Sequence, residues 1–318
     1  MRFAFIEAEK AEYPVSVLCR VLRVTRPGFY AWRQRPESNR SKADRRLAVL
    51  VRAAHEESRR CYGSPRLVRE LRIAHGERVG RKRMRRLMVQ EGLKARAHRR
   101  YKCTTMSNHD QPVAPNLLDR QFEAERPNQR WVGDTTELLI GDGGAKFFLA
   151  ALIDLYSRFV VGWAVSAVND RHLCLKALDM ALRRRCPGTG LLHHSDQGST
   201  YASEDYQKLL KARGITCSMS RRGNCIDNAA MESWFSTLKC ELGERFESYG
   251  RAKEELFDYI EAFYNGRRRH SSLDYVSPVD FEQRGRERSE AWWRHDLSAT
   301  VDAANQMRYE RGQQQFTT

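Results

Sequence analysis

Over the first third of the chain, apolar residues return at helical spacing between arginines and lysines. From about residue 121 they gather instead into short runs bounded by turn residues. The front therefore reads as all-α and the remainder as α/β. In YPVSVLCRVLRVTRPGFYAWR (13–33), Val17, Leu18, Val21 and Leu22 share a helical stripe. Thr25 then stands before Pro27-Gly28 as a turn or cap, and Phe29, Tyr30 and Trp32 open a second element, which is the outline of a helix-turn-helix. A longer basic block runs from about 43 to 95. Tyr62-Gly63-Ser64-Pro65 breaks it, with Ser64 expected as N-cap and Pro65 at the first helical position. Leu67 and Leu71 mark the inner face of the next helix. VGRKRMRRLMVQEG then turns Met84, Leu87 and Met88 inward and Arg81, Lys82, Arg83, Arg85 and Arg86 outward, ending at Gly92.

Beyond the break, WVGDTTELLI predicts a strand and Gly141-Asp142-Gly143-Gly144 a turn. KFFLAALIDLYSRFVVGWAVS predicts two more strands about a turn near Asp154–Arg158. NDRHLCLKALDMALRR is a helix and GLLHHSDQGS a fourth strand with a polar end. SEDYQKLLKARG is a helix capped by Ser203 and closed at Gly214, and ITCSMS a fifth strand. DNAAMESWFSTLKCELG is a helix from about Asp227 to Leu242. The domain reading is then 1–40 a short helix-turn-helix-like segment, 41–95 a basic one, 96–120 a linker, 121–285 an α/β core, and 286–318 a tail without a functional account.

Charge sharpens this division. The chain carries 56 Lys+Arg against 40 Asp+Glu, a net +16. Residues 1–120 hold 29 of the bases and 12 of the acids, so the front alone is +17 and the rest −1. Such a front fits an unbroken polyanion, DNA before all, because basic side chains release the counterions condensed on phosphates. The eight cysteines stand singly with no C-x-x-C pair, which argues against a zinc site or a disulfide framework. No signal peptide and no membrane-length apolar run is visible, so a soluble cytoplasmic protein is expected.

Three acids stand out. Asp134 lies in the first strand, Asp196 just past the fourth, and Glu232 on the last helix, with 61 and 35 residues between them. Adjacent strands can bring the aspartates together, and the helix can lay the glutamate across them. Three converging carboxylates repel one another unless cations intervene, and Mg²⁺ takes hard oxygen ligands while sharing its sphere with phosphate. The set therefore suits a two-metal phosphoryl-transfer site. Asn228, Glu232 and Lys239 fall on one helix face, opposite an expected apolar stripe of Met231, Trp234, Phe235 and Leu238. Asp142 and Asp154 read as turn residues, and His193 and His194 as core or supporting residues rather than metal ligands.

WVGDTTEL, HHSDQGSTY and GNCIDNAAMESWFSTLKCEL resemble the three blocks of the DDE integrase core shared by retroviral-type integrases and insertion-sequence transposases. RRRHSSLDYVSPVDFE resembles the closing element of OrfB products of the IS-three family, and the front resembles that family's N-terminal segment and helix-turn-helix block. The resemblance extends to about residue 285. It implies a ribonuclease H-like integrase core, a five-stranded mixed sheet flanked by helices, behind basic all-α helix-turn-helix segments. It also implies a transposase that cleaves and transfers DNA strands with Mg²⁺ or Mn²⁺, in two ions held by Asp134, Asp196 and Glu232. Lys239 would contact DNA near the cleaved phosphate, with Asn228 and Gln197 in support. The partners implied are transposon ends and target DNA, further copies of the chain, and an OrfA-type upstream-frame protein or fusion. No heptad run here is long enough to be the coiled coil that the upstream frame supplies. Two rival readings stand beside this one: a DNA-binding regulator with an unused core, and a ribonuclease H-type nuclease that hydrolyses without joining.

Overall fold

The computed structural model describes residues 1–96, 113–222 and 224–288. Three short helices open the chain, α1 (Arg2–Glu9), α2 (Val15–Val21) and α3 (Arg26–Gln34), closed on a small core of Ile6, Leu18, Cys19 and Phe29. Thr25 caps α3 as expected, its hydroxyl accepting from Gly28 N at 3.2 Å. The buried stripe of α2 is Leu18 and Cys19, whereas Val17 and Val21 are exposed. A seven-residue helix against so small a core buries one edge only, so the wider expected stripe is not used.

Helices α4 (Asn39–Glu57), α5 (Ser64–His75) and α6 (Arg81–Gln90) form the basic block around Leu47, Val51, Leu67, Leu71, Met84 and Leu87. Gly63, not Ser64, occupies the N-cap of α5. Ser64 is already helical beside Pro65, and its hydroxyl makes no cap. Gly92 follows α6 with φ +67, a backbone conformation that favours glycine. The block packs on the rest of the chain: Arg269 N donates to the Tyr62 hydroxyl at 2.6 Å, and Arg269 pairs with Glu70 at 2.8 Å.

The remainder is a mixed sheet. Strands β1 (Arg130–Ile140), β2 (Ala145–Asp154), β3 (Val160–Ser166), β4 (Leu192–Ser195) and β5 (Thr216–Met219) lie in the order β3-β2-β1-β4-β5. A two-residue β6 (Arg245–Phe246), not foreseen, pairs with β1. β1–β2 and β2–β3 are antiparallel, while β4 runs parallel to β1 and to β5. One face is covered by α7 (Arg171–Arg185), with α8 (Ser199–Ala202) and α9 (Glu204–Ala212). The other face is covered by α10 (Ala229–Glu241) and by α11 (Tyr249–Phe257), which continues as a π-helix over Asp258–Asn265. Helical residues 278–288 (α12) close the described chain.

Two details show how the layers are locked. Gly162 on β3 is where α7 touches the sheet, and a Cβ there would overlap the Ala177 carbonyl and lie 2.7 Å from Ala181 N. Asn265 covers the edge of β3, accepting from Val160 N at 2.9 Å and donating to Val160 O at 3.2 Å. Asp154, expected as an ordinary turn residue, is wholly buried. It accepts from Asn128 N and Tyr156 N and pairs with Arg185, which also holds Glu282 of α12. Ser203 precedes α9 without capping it, its hydroxyl donating instead to Thr200 O. Residues 113–120, expected as the end of a linker, are pinned to the sheet: Leu118 is buried, and the Leu117 and Leu118 amides both donate to Ser218 Oγ. The first part of that linker (97–112) and the tail from 289 lie outside the described residues.

Candidate active site

Strand parity decides which face Asp134 takes. Val132 and Leu138, two and four residues away, pack with Met231 and Trp234 of α10, whereas Trp131 packs with α7. Asp134 shares the parity of Val132 and so lies on the α10 face. The parallel register pairs Val132 with His194. Two further steps along both strands set Asp134 level with Asp196, where β4 has just ended. Adjacent strands lie only about 4.8 Å apart. α10 lies against β1 and carries Glu232 in its first turn.

Both aspartates are held by the backbone beside them. Asp134 Oδ1 accepts from Thr135 N at 2.7 Å, and Asp196 Oδ1 accepts from Gly198 N at 2.9 Å. Gly198 is needed for that approach, because a Cβ would stand 2.9 Å from the same carboxylate oxygen. Burial drives the Asp134 carboxyl well above its ordinary range, and the charges of Asp196 and Glu232 drive it further. Both acids therefore bear on Asp134. Burial also raises Glu232, the exposed member of the three.

Neighbours of the acids are wholly buried. His193 Nε2 meets the Tyr206 hydroxyl at 3.0 Å, and His194 Nδ1 meets Ser218 Oγ at 2.8 Å. Burial pushes His193 down to about 3 and His194 down to about 4, so both are neutral at neutral pH. Asn228 stands at the N-cap position of α10 without a capping bond, its side chain buried and neither amide atom partnered among the described residues. Lys239 lies two turns beyond Glu232. Burial lowers its pKa, against the opposing pull of the Glu244 and Glu137 charges. Gln197 follows Asp196 directly and is partly buried. The sheet and α10 thus bring Asp134, Asp196, Glu232, Asn228 and Gln197 into one region, with Lys239 farther along the same helix.

Sequence reasoning missed what anchors α10. At its start, the Asp227 carboxylate is fully buried and accepts from Arg221 N, Arg221 Nε and Nη2, Arg120 Nε and Asn116 Nδ2, all at 2.9–3.0 Å. The bonds from Arg221, above all, hold that carboxyl far below its usual range. At its end, Glu241 takes two bonds from Arg268, at 2.8 and 2.6 Å, and one from the Tyr259 hydroxyl at 2.9 Å. Asp227 sits in a quoted motif but reads there as a helix start, and its partners lie up to 111 residues away. Nothing local signals them.

On α6, Arg81, Lys82 and Arg85 are exposed and form no ion pair among the described residues. Arg83 and Arg86 differ, both pairing with Asp44 of α4 at 2.7 and 2.5 Å. Their charge is partly spent inside the block.

Three carboxylates are hard oxygen donors, and their mutual repulsion on Asp134 fits a divalent cation between them. Among the described residues, no three His, Cys, Asp or Glu side chains stand close enough to hold an ion in the arrangement seen. The donor set fits a hard cation in kind.

A five-strand path β3-β2-β1-β4-β5, helices on both faces, and an acid at each of β1, the end of β4 and α10 define a ribonuclease H-like integrase core. Known proteins agree. Residues 124–225 and 213–278 match the family described as Integrase core domain, and residues 42–101 the HTH-like domain. Over 269 residues the chain is 42% identical to the insertion element IS600 uncharacterized 31 kDa protein of Shigella sonnei, covering 84% of this chain and 98% of that one. Over 288 residues it is 41% identical to transposase InsF for insertion sequence IS3A of Escherichia coli (strain K12), covering 89% and 99%. A chain in the simian T-cell lymphotropic virus intasome is similar over 74% of this chain and 73% of its own, at 15% identity and TM-score 0.43, too slight a likeness to build on. The chain belongs to the IS3 family of insertion-sequence transposases. It is an enzyme of the DDE polynucleotidyl transferase type, with a helix-turn-helix-like domain, and it acts on DNA. Among the described residues no helix is long and apolar enough to cross a membrane.

Proposed function

We propose that Asp134, Asp196 and Glu232 form the catalytic set of this transposase and that together they hold divalent metal, Mg²⁺ or Mn²⁺, in two ions. The observation that carries this is the placement of Asp134 on β1 beside the turn that holds Asp196 and under α10, which carries Glu232, with the charges of both bearing on the Asp134 carboxyl. Such convergence costs stability, and a folded chain retains it where a cation is to be bound. When bound, the metal supplies charge neutralisation at the phosphate and favours the attacking and leaving oxygens. The chain's own part is orientation. The Thr135 and Gly198 amides fix the rotation of the two aspartates, and the ion networks of Asp227 and Glu241 hold both ends of α10, the helix that carries Glu232. Neutral His193 and His194 support the strand beneath without adding charge.

The reaction class is in-line phosphoryl transfer. Water attacks a phosphodiester, its oxygen bonds to phosphorus, and the strand's 3′-oxygen leaves as a hydroxyl. That hydroxyl then attacks a second phosphodiester, one P–O bond forming as another breaks. Lys239, Asn228 and Gln197 are assigned to DNA contacts along α10 and the Asp196 turn, and Arg81, Lys82 and Arg85 to phosphate contacts by α6. Arg83 and Arg86 add to that face while held by Asp44. Two ends must be joined in one event, so the working form is a multimer on DNA, with an OrfA-type upstream-frame protein as partner, acting in the bacterial cytoplasm.

A strand-transfer assay with pre-cut ends, run with Mg²⁺, Mn²⁺ or EDTA, tests the assignment. Joined products should require metal and vanish in Asp134→Asn and Glu232→Gln, with DNA binding retained. In parallel, Mg²⁺ should raise the melting temperature of the parent chain and leave that of Asp134→Asn unmoved. Joining that survives either substitution would sink the site. Hydrolysis without joining would favour the nuclease reading. Metal-independent DNA binding without products, even with the upstream protein added, would favour the regulator.

A further inference from the structure

A cavity of about 480 Å³ lies where α5 of the basic block meets the core. Its wall includes Ser233 and Thr237 of α10, which follow Glu232 and Ser236 by one position and so lie about 100° round the same helix from them. Three guanidinium groups contribute to the wall: Arg66 from α5, Arg158 from the turn after β2, and Arg268 after the π-helix. Only Arg268 has a carboxylate partner, Glu241. Among the described residues neither Arg66 nor Arg158 forms an ion pair. Arg66 lies over the Tyr62 ring, and Arg158 donates to Phe122 O at 3.0 Å.

His270 also lines the cavity and is 6% exposed. Arg268 Nη1 stands 3.5 Å from His270 Nδ1, and a guanidinium can only donate. His270 Nε2 is buried and has no hydrogen-bond partner among the described residues. Burial and the surrounding Arg268, Arg66 and Arg158 hold the ring neutral. Three guanidinium groups and a buried imidazole thus line one half-enclosed cavity. Buried charge and buried donors of this kind are costly unless an acceptor-rich anion meets them. Guanidinium forks match phosphate oxygens, and the Ser233 hydroxyl adds a donor without charge, while the Thr237 hydroxyl donates to Ser233 O.

We propose that this cavity is a phosphate-binding site, separate from the carboxylate cleft but built on the same helix. It takes a phosphate group through Arg66 and Arg158, with the unpartnered His270 Nε2 beside them. The inference rests on the reading of α10 as the helix that carries Glu232 to the reacting DNA, which makes a backbone phosphate one source and free phosphate the other. Two measurements on the full chain separate the sources. One is the melting temperature in inorganic phosphate against chloride at matched ionic strength. The other is the salt dependence of binding to a short labelled DNA duplex.

Phosphate should raise the melting temperature of the parent chain and of Arg66→Lys, and not that of Arg66→Gln or Arg158→Gln. If DNA is the source, each Gln variant also loses about one unit of the slope of log affinity against log salt. A phosphate response with unchanged DNA slopes assigns the site to the free ion. Absence of both effects, in variants whose melting in chloride matches the parent, overturns the proposal. Strand transfer by the parent chain, measured alongside, reports on the carboxylate cleft alone, so the two readings fail separately.

Discussion

Replacing Glu241 by leucine should reveal how much of the active helix is held from its far end. Glu241 and Arg268 side chains are 3% and 4% exposed and joined by two short bonds, with the Tyr259 hydroxyl as a third donor. Glu241→Leu leaves a guanidinium buried and without its counter-charge. Breaking a buried pair on one side costs about 3–5 kcal/mol. For a chain of this size each kcal/mol moves Tm by about 2–4 °C, so a fall on the order of 10 °C is expected. Replacing both partners, Glu241→Leu with Arg268→Met, removes the charge as well as the bonds and should recover most of the loss. Urea denaturation of parent, single and double variants supplies the assay, with strand transfer read on the folded fraction. Activity of the single variant should fall further than its folded fraction, because α10 positions Glu232. A single-variant cost under about 1 kcal/mol would place the pair among ordinary surface pairs and refute the reasoning.

Acid should destabilise the fold through its buried histidines. His193 and His194 are held down to about 3 and about 4, so from pH 6.5 downward the unfolded chain takes up protons that the folded chain refuses. Stability is then lost with falling pH down to about 4, on the order of 1 kcal/mol per unit for each ring. His194→Asn should shallow the decline in urea midpoint between neutral and mildly acid pH, and parallel curves would exclude the mechanism. Gly162→Val should abolish or severely weaken folding, because its Cβ would overlap the α7 backbone at Ala177; a chain that melts as the parent does would show that α7 can move aside. On α6, alanine at Arg81, Lys82 or Arg85 should each reduce the salt slope of DNA binding by about one unit. Alanine at Arg83 should instead loosen α6 from α4, seen as a lower Tm, because Arg83 is held by Asp44.

Much of the core was legible in the chain because its signals are local. The five main strands, helices α7, α9 and α10, and the inward set Met231, Trp234, Phe235 and Leu238 follow from runs of apolar residues between turn formers. So do the positions of Asp134, Asp196 and Glu232 on those elements. Capping was legible only where one side chain decides it: Thr25 caps α3, but Ser64 yields to Gly63 and Ser203 turns back to Thr200. Tertiary structure alone decided the rest. Strand order put Asp134 level with Asp196, and long-range ion pairs pinned α10 at Asp227 and Glu241. It also drew residues 113–120 out of the expected linker onto the sheet, turned Asp154 from a turn residue into a buried anchor, and gathered Arg66, Arg158 and Arg268 round one cavity. The physical reason is range. Periodicity and turn chemistry act over a few residues and are written locally, whereas a buried charge is tolerated only beside a partner that the fold supplies from far along the chain.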